Sequence, residues 1–419
     1  MRIVFANRYF YPDQSATSRM VSSMAFALAQ RGFDVTALAG RSLHNRQDTL
    51  LPAEETISGV RVCRLTTSRF GRQSVVGRSI DYLSFHALAL WWLLRNVSKN
   101  DVAVICTDPP FLSVSSAIAL KLRGARMINW IMDLFPETAI ELGYMRRRRS
   151  LGRLAKAIRD WSIRKSALII CPTKTMADYM IEQALPQERI AVQYHWSNED
   201  EIYPVDPEHN GLRQEWGLGE DFVVGYSGNF GRAHEFTTII ETAELLKDRR
   251  DIRFLLIGSG HQHAAVQEAV RERGLRNVIF KPLQPAERLA ESLGAADVHL
   301  VSLLPRLEHC ILPSKIYGIL AAGRPTIFIG DNDGEVARIL ASGACGKTIA
   351  IGDAEQLALT IRELKGSPIR RSDMGAAARH LVETAYSRHA AIEAWCTLFE
   401  QLRERAPAPS HDEMQRQFS

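Results

Sequence analysis

The sequence predicts an α/β protein of two Rossmann-like, doubly wound domains facing each other across a cleft. Three observations predict it. Short β-rich runs alternate with helical stretches almost from end to end. The alternation lapses once, from His195 to Glu220, and then restarts. The chain has 419 residues, length enough for two ordinary domains.

The first half supplies RIVFA, DVTALA, GVRVCRL, DVAVICT, RMINWIM, ALIICP and RIAVQY in order. Most are continuous apolar runs rather than alternating ones, the pattern of parallel strands buried on both faces. Helical stretches lie between them, at Thr17 to Gln30, Ser79 to Val97 and Gly152 to Lys165. This half is read as a domain over residues 1–198. Residues 199–221 are polar, with Pro204 and Pro207, and read as a linker. FVVGYSG, IRFLLIGSG, VIFKP, DVHLVS and PTIFIG then rebuild the same pattern over residues 222–385. A helix over 386–405 is expected to pack back on the first domain, and the polar tail 406–419 to be disordered. Ligands of such sheets bind at the carboxyl ends of the strands, so the cleft between the domains is the expected site.

Composition narrows the class. With 46% hydrophobic and 24% charged residues, the chain is globular rather than disordered. A net charge of +5 is too modest to imply nucleic acid. The first residues enter a strand directly, without the apolar segment or cleavage site of a secretory signal. The most apolar window, Leu83 to Leu94, is too short to span a bilayer. A cytoplasmic protein is the expectation. Six cysteines, none in a C-x-x-C pair, read as buried free thiols.

Three loops of the second domain suit a phosphate-bearing ligand. YSGNFGRAHEF follows a strand, carries Gly228, Asn229 and Gly231, and leads into a helix expected from about His234. Glycines let a backbone approach a ligand, a helix start offers free N–H groups, and Arg232 adds a bidentate cation. LLIGSG supplies Gly258, Ser259 and Gly260 at a second strand end. Pro313, Ser314 and Lys315 open a short helix stopped by Gly323. A lysine in a helix's first turn is unfavourable unless an anion meets it.

In the first domain, Ser15 and Thr17 are either plain helix caps or hydroxyl donors to a ligand. Arg19 follows in the same first turn. Asp133 and Glu137, in MDLFPE, follow a strand and could accept a proton from a hydroxyl. Glu335 opens a later helix, either as a dipole-favoured acid or as a ligand contact. Asp331 to Asp333 reads as an Asx-type turn, and His261 with His263 lacks a third ligand, so no metal or cofactor is expected. No Gly-x-Gly-x-x-Gly follows the first strand, which disfavours a dehydrogenase.

YSGNFGRAHEFTTIIETAELL, FLLIGSG and LPSKIYGILAAGRPTIFIG, with FANRYFYPDQSATSRM and WIMDLFPETAIELG, resemble the retaining GT-B glycosyltransferases of family four. Within it the likeness is to the bacterial exopolysaccharide and O-antigen branch, which includes fucosyl and fucosamine transferases. The resemblance implies a hexosyl-type transfer from a nucleotide-sugar, with retention, to a lipid-diphosphate-linked sugar. It places the donor against the second domain and the acceptor against the first. Arg232 matches the arginine that contacts the donor diphosphate. The lysine usual about six residues later is missing, and Thr238 stands near its place. The paired glutamates of the family fall at Cys310 and Gly318, which leaves the ribose contact unassigned. A sugar-nucleotide epimerase and a non-catalytic nucleotide-sugar or lipid-binding partner are the competing readings.

Arg146 to Lys165 holds nine Lys or Arg and one Asp, with Leu151, Leu154, Ile158 and Trp161 giving an apolar side. That is either the solvated face of a core helix or a seat on an anionic membrane. With the Leu83 to Leu94 window, it favours peripheral attachment to the inner face of the plasma membrane.

Overall fold

The computed structural model describes residues 1–44, 49–71, 74–144 and 149–404. The tail 406–419, expected to be disordered, lies outside the described residues, as do Arg146 to Arg148 of the basic segment. The first sheet has eight strands: β1 (Arg2–Ala6), β2 (Asp34–Gly40), β3 (Glu54–Ile57), β4 (Val60–Leu65), β5 (Val102–Cys106), β6 (Arg126–Trp130), β7 (Leu168–Cys171) and β8 (Ile190–Val192). Their order is β3-β4-β2-β1-β5-β6-β7-β8, and only β3 runs antiparallel to its neighbour. The chain order reverses between β1 and β5, so the switch point lies there.

Successive residues of β1 point to opposite faces. Ile3 and Phe5 pack against α1 (Ala16–Gln30), while Val4 and Ala6 pack against α2 (Val75–Asn96) and α3 (Leu112–Arg123). The short α4 (Glu137–Glu141), then α5 (Arg149–Ile163) and α6 (Lys174–Glu182), complete this domain, with α5 seated beside α3.

Residues 199–221 are more than a tether. They form α7 (Gly211–Glu215), capped by Asn210, whose side-chain amide donates to the Glu291 carbonyl. Arg213 is buried and donates to the carbonyls of Ala295 and Gly219. Asn210 and Arg213 are thus polar residues that bind backbone, while Asp200, Glu201, Glu208, Gln214 and Glu215 are exposed, and composition alone cannot distinguish the two.

The second sheet holds β9 (Phe222–Asn229), β10 (Ile252–Ser259), β11 (Val278–Lys281), β12 (Val298–Ser302), β13 (Thr326–Ile329) and β14 (Gly346–Ile349). All pairs are parallel, in the order β11-β10-β9-β12-β13-β14, with the switch point between β9 and β12. Its helices are α8 (Thr237–Leu245), α9 (His263–Glu272), α10 (Leu289–Gly294), α11 (Lys315–Ala321), α12 (Glu335–Ser342), α13 (Ala354–Gly366) and α14 (Pro368–Ala385). The last helix, α15 (Arg388–Glu404), returns to the first domain. Its Trp395 lies 4.7 Å from Trp130, which stacks in turn on Trp196.

The apolar core continues from one domain to the other. Ile131, Leu134 and Met176 of the first domain share a cluster with Leu303, Cys310 and Ile316 of the second. All six cysteines are buried free thiols.

Candidate active site

The ends of β9 and β10 form the floor of the second-domain site. The two strands stay in register to their tips, pairing Gly228 with Gly258 and Asn229 with Ser259. Gly228, Gly258 and Gly260 have φ of +132°, +143° and +147°, which L side chains rarely adopt. A Cβ at Gly258 would sit 1.9 Å from the Gly228 carbonyl oxygen, and one at Gly260 would sit 2.3 Å from Asn229 Oδ1. These glycines therefore bring two strand tips and a loop closer than any side chain permits.

Lys315 comes to the same place from 87 residues away. A Cβ at Gly228 would lie 3.4 Å from its Nζ. The ammonium donates to the Tyr226 hydroxyl at 2.6 Å and lies 3.9 Å from the centre of that ring. Tyr226 in turn donates to the Asn229 carbonyl at 2.8 Å, which ties the lysine to the glycine loop. Lys315 is half-buried, no carboxylate among the described residues pairs with it, and burial pushes its pKa down to about 7. Tyr226 escaped the sequence reading. Its signal was position, since two residues before Gly228 it shares that residue's face of the strand.

The helix expected from about His234 begins only at Thr237. The reason is the Glu235 carboxylate, which accepts from the N–H groups of Thr237 and Thr238. Those first-turn donors are occupied by a side chain rather than offered to a phosphate. Residues 230–236 instead form a loop held by Gln262, whose amide donates to the carbonyls of Gly231 and His234. His234 has its Nδ1 2.6 Å from the Ser302 carbonyl oxygen, so that nitrogen carries the proton. Burial first, then the Lys315 charge, pushes its pKa down to about 3, and the ring is neutral with Nε2 as an acceptor.

A cavity of about 490 Å³ opens beside this loop. Arg232, His234, Thr237, Gln262 and Arg306 line it, and Leu142 closes it from the first domain. Arg232 is exposed, and its guanidinium lies 5.2 Å from the centre of the first-domain Tyr144 ring. Arg306 is a second exposed cation on this wall that sequence reasoning missed. Nothing in its local sequence, PRLE, marks it.

Asp133 follows β6 in the first domain. The loop that carries it meets the second domain where the Leu134 N–H donates to the Cys310 carbonyl at 2.8 Å. Asp133 is exposed, yet it stands in the cleft with protein around it. That loss of bulk water, with the Asp108 carboxylate, pushes its pKa up to about 6. Water still reaches the group, so the upward direction is what bears on its chemistry.

Glu137 is elsewhere. It is buried in an ion cluster with Arg159 and Lys156, and the Tyr179 hydroxyl donates to it at 3.3 Å. Its carboxylate fastens α4 to α5 and is not free to act as a base in the cleft. Glu335 is also occupied. Its carboxylate accepts from the backbone N–H and hydroxyl of the first-domain Thr175 and from Arg338. It ties the domains together instead of facing a ligand. Glu308, missed by the sequence reading, is buried beside it and accepts from the Glu335 N–H. Burial pushes Glu308 up to about 7.

Ser15 is the N-cap residue of α1 by position, but its hydroxyl donates to Asp13 rather than accepting from the helix. Arg19 reaches Glu201 at 3.8 Å, on the segment joining the domains. Among the described residues, no hydrogen bond or ion pair links Ser15, Thr17 or Arg19 to the second-domain loops. Pro313 and Ser314 precede α11, and Ser314 makes no side-chain cap. Asp331 accepts from the Asp333 N–H in an Asx turn. No group of three His, Cys, Asp or Glu among the described residues is placed to hold a metal.

Arg232, Arg306 and the neutral His234 thus line one cavity with Glu235, Lys315 lies against the adjoining glycine loop, and Asp133 lies on a first-domain loop that meets this domain. Residues 15–195 match the glycosyl transferase 4-like domain family, and residues 210–381 match the glycosyl transferases group 1 family. The putative colanic acid biosynthesis glycosyl transferase WcaI of Escherichia coli is 24% identical over 351 residues, covering 81% of this chain and 86% of its own. The probable glycosyltransferase WbjE of Pseudomonas aeruginosa is 24% identical over 72% of this chain and 74% of its own. Anabaena HepE, solved with UDP and glucose, superposes with a TM-score of 0.73 at 15% identity, over 96% of this chain and all 100% of HepE. In fold and in both of its domains, the chain belongs to the GT-B glycosyltransferases.

Proposed function

We propose that the protein transfers a hexose-type sugar from a UDP-sugar to a lipid-diphosphate-linked saccharide, with retention, in cell-surface polysaccharide synthesis. One observation carries this reading. Lys315 is held by Tyr226 against the Gly228 backbone without a carboxylate partner, at the switch point of the second sheet. A diphosphate would supply the missing charge, with Arg232 and Arg306 beside it. The relative named for colanic acid biosynthesis supports the pathway class, and HepE is solved with UDP-glucose.

In this reading the cations stabilise the charge that builds on the leaving phosphate. That phosphate takes the acceptor's proton while the hydroxyl attacks on the same face, so no protein nucleophile is required. Asp133, whose pKa is raised by the loss of bulk water around it, orients the acceptor or sugar hydroxyls from the first domain. The chain attaches peripherally to the inner membrane face through the basic segment ending at Lys165, where a polyprenyl-linked acceptor resides.

Thermal shift against UDP, GDP and dTDP tests the donor, since a ligand of the folded state stabilises it by mass action. UDP alone should raise the melting midpoint, and Arg232→Ala should abolish the rise. No shift with any nucleotide sinks the reading. A UDP-sugar isomer formed without acceptor would favour an epimerase instead.

A further inference from the structure

The helical layer of the first domain carries a surface that the cleft does not use. α2, α3 and α5 lie side by side on one face of the first sheet. Their inner sides fill the core with Phe85, Leu93 and Leu120. Their outer sides would ordinarily be polar, and here they are not. α2 exposes Ile80, Leu83 and Trp91, with Leu83 67% accessible. α3 exposes Ile118 and Leu122, the latter 71% accessible. α5 exposes Leu151, Leu154, Ile158 and Trp161, whose spacing places them on one helical stripe. Half of the exposed large apolar side chains among the described residues fall on these three helices. Those of the second domain, by contrast, are scattered singly over separate elements, which is ordinary.

Charge on this face has one sign. The only acids on the three helices, Asp81 and Asp160, are both buried. The outward charges are Arg78, Arg95, Lys121, Arg123 and Arg153, all exposed. Arg95 lies 4.3 Å from the centre of the Trp91 ring, an arginine and an indole at the same level. No helix of the described chain is long and apolar enough to cross a membrane. Apolar stripes ringed by basic side chains suit a surface with an apolar interior and anionic headgroups.

We propose that this three-helix face, and not the α5 helix alone, seats the protein on an anionic lipid bilayer, with Leu83, Trp91, Leu122 and Trp161 entering the headgroup boundary. The proposal deepens the membrane attachment given above and rests on it. The contacts are set by the layer's packing, so the α2 and α3 side chains carry binding as much as those of α5.

Sedimentation with vesicles of phosphatidylglycerol mixed with phosphatidylcholine tests it. The wild-type chain should pellet with these vesicles and not with phosphatidylcholine alone. Leu83→Ser with Leu122→Ser should lower the bound fraction about tenfold while leaving the melting midpoint and the UDP shift unchanged. If that variant binds like wild type and only Leu154→Ser with Trp161→Ser releases the protein, the three-helix face is wrong and attachment through α5 stands. If the wild-type chain binds no vesicle, both fail. If it forms a dimer that Leu122→Ser dissociates, without binding vesicles, the face is a protein interface and the proposal is overturned.

Discussion

Lys315 should take up a proton when the donor's diphosphate binds. In the free protein burial holds its ammonium near 7, against an ordinary value of 10.5. Its hydrogen-bonding partner is the neutral Tyr226 hydroxyl, which offers no countercharge. An arriving diphosphate favours the charged form and raises the pKa again. Between those two values the free lysine has lost its proton while the bound one keeps it. UDP affinity should therefore fall as pH rises above 7, by about tenfold per unit and about a hundredfold by two units. Water reaches this half-buried side chain, which shifts the onset upward but leaves the slope unchanged. Working above pH 7 also keeps clear of UDP's own terminal phosphate ionisation. Titration calorimetry in two buffers of different ionisation enthalpy reads the uptake directly. At two units above neutrality it should approach one proton per UDP, and Lys315→Met should show none, with weaker and pH-independent binding. The same lowered pKa has a sign for the free fold. The unfolded chain binds more protons between 7 and 10.5, so stability should rise with pH across that window. A Lys315→Met variant that keeps the wild-type slope and uptake would refute the assignment.

Three further outcomes follow from the packing. Gly258→Ala should cost at least about 3 kcal/mol in urea unfolding, because its Cβ meets the Gly228 carbonyl oxygen at 1.9 Å and neither backbone can retreat; a wild-type midpoint would contradict the floor described here. Arg159→Met leaves buried Glu137 with only Lys156, 3.9 Å away, as a cation and should cost about 3 kcal/mol, most of it recovered by adding Glu137→Gln. Glu335→Gln should lower stability by about 1–2 kcal/mol through the Thr175 and Arg338 contacts and leave UDP affinity alone. A tenfold loss of affinity in that variant would return Glu335 to the ligand.

Several of these features were legible in sequence because their causes are local. The strand runs were, since a strand buried on both faces is apolar at every position, as Val102–Cys106 is. The glycine loops were, since only glycine serves at such φ. The start of α8 was not, because the decisive residue is a cap. Glu235 lies within RAHEF and satisfies the first N–H groups itself, so the stretch reads as helix to periodicity and behaves as loop. Glu335 shows the same limit over a longer range. An acid opening a helix is favoured by the dipole wherever it points, and its partner Thr175 is 160 residues away in the other domain. Lys315 is the instructive opposite. Its place near a helix start already signalled a missing anion. The structure relocates the reason: α11 is only seven residues long, and what holds the ammonium is Tyr226, itself tied to the Asn229 carbonyl. A basic side chain held in place by a neutral hydroxyl is poised for charge it does not have, and it lies against Gly228, whose φ of +132° L side chains rarely adopt.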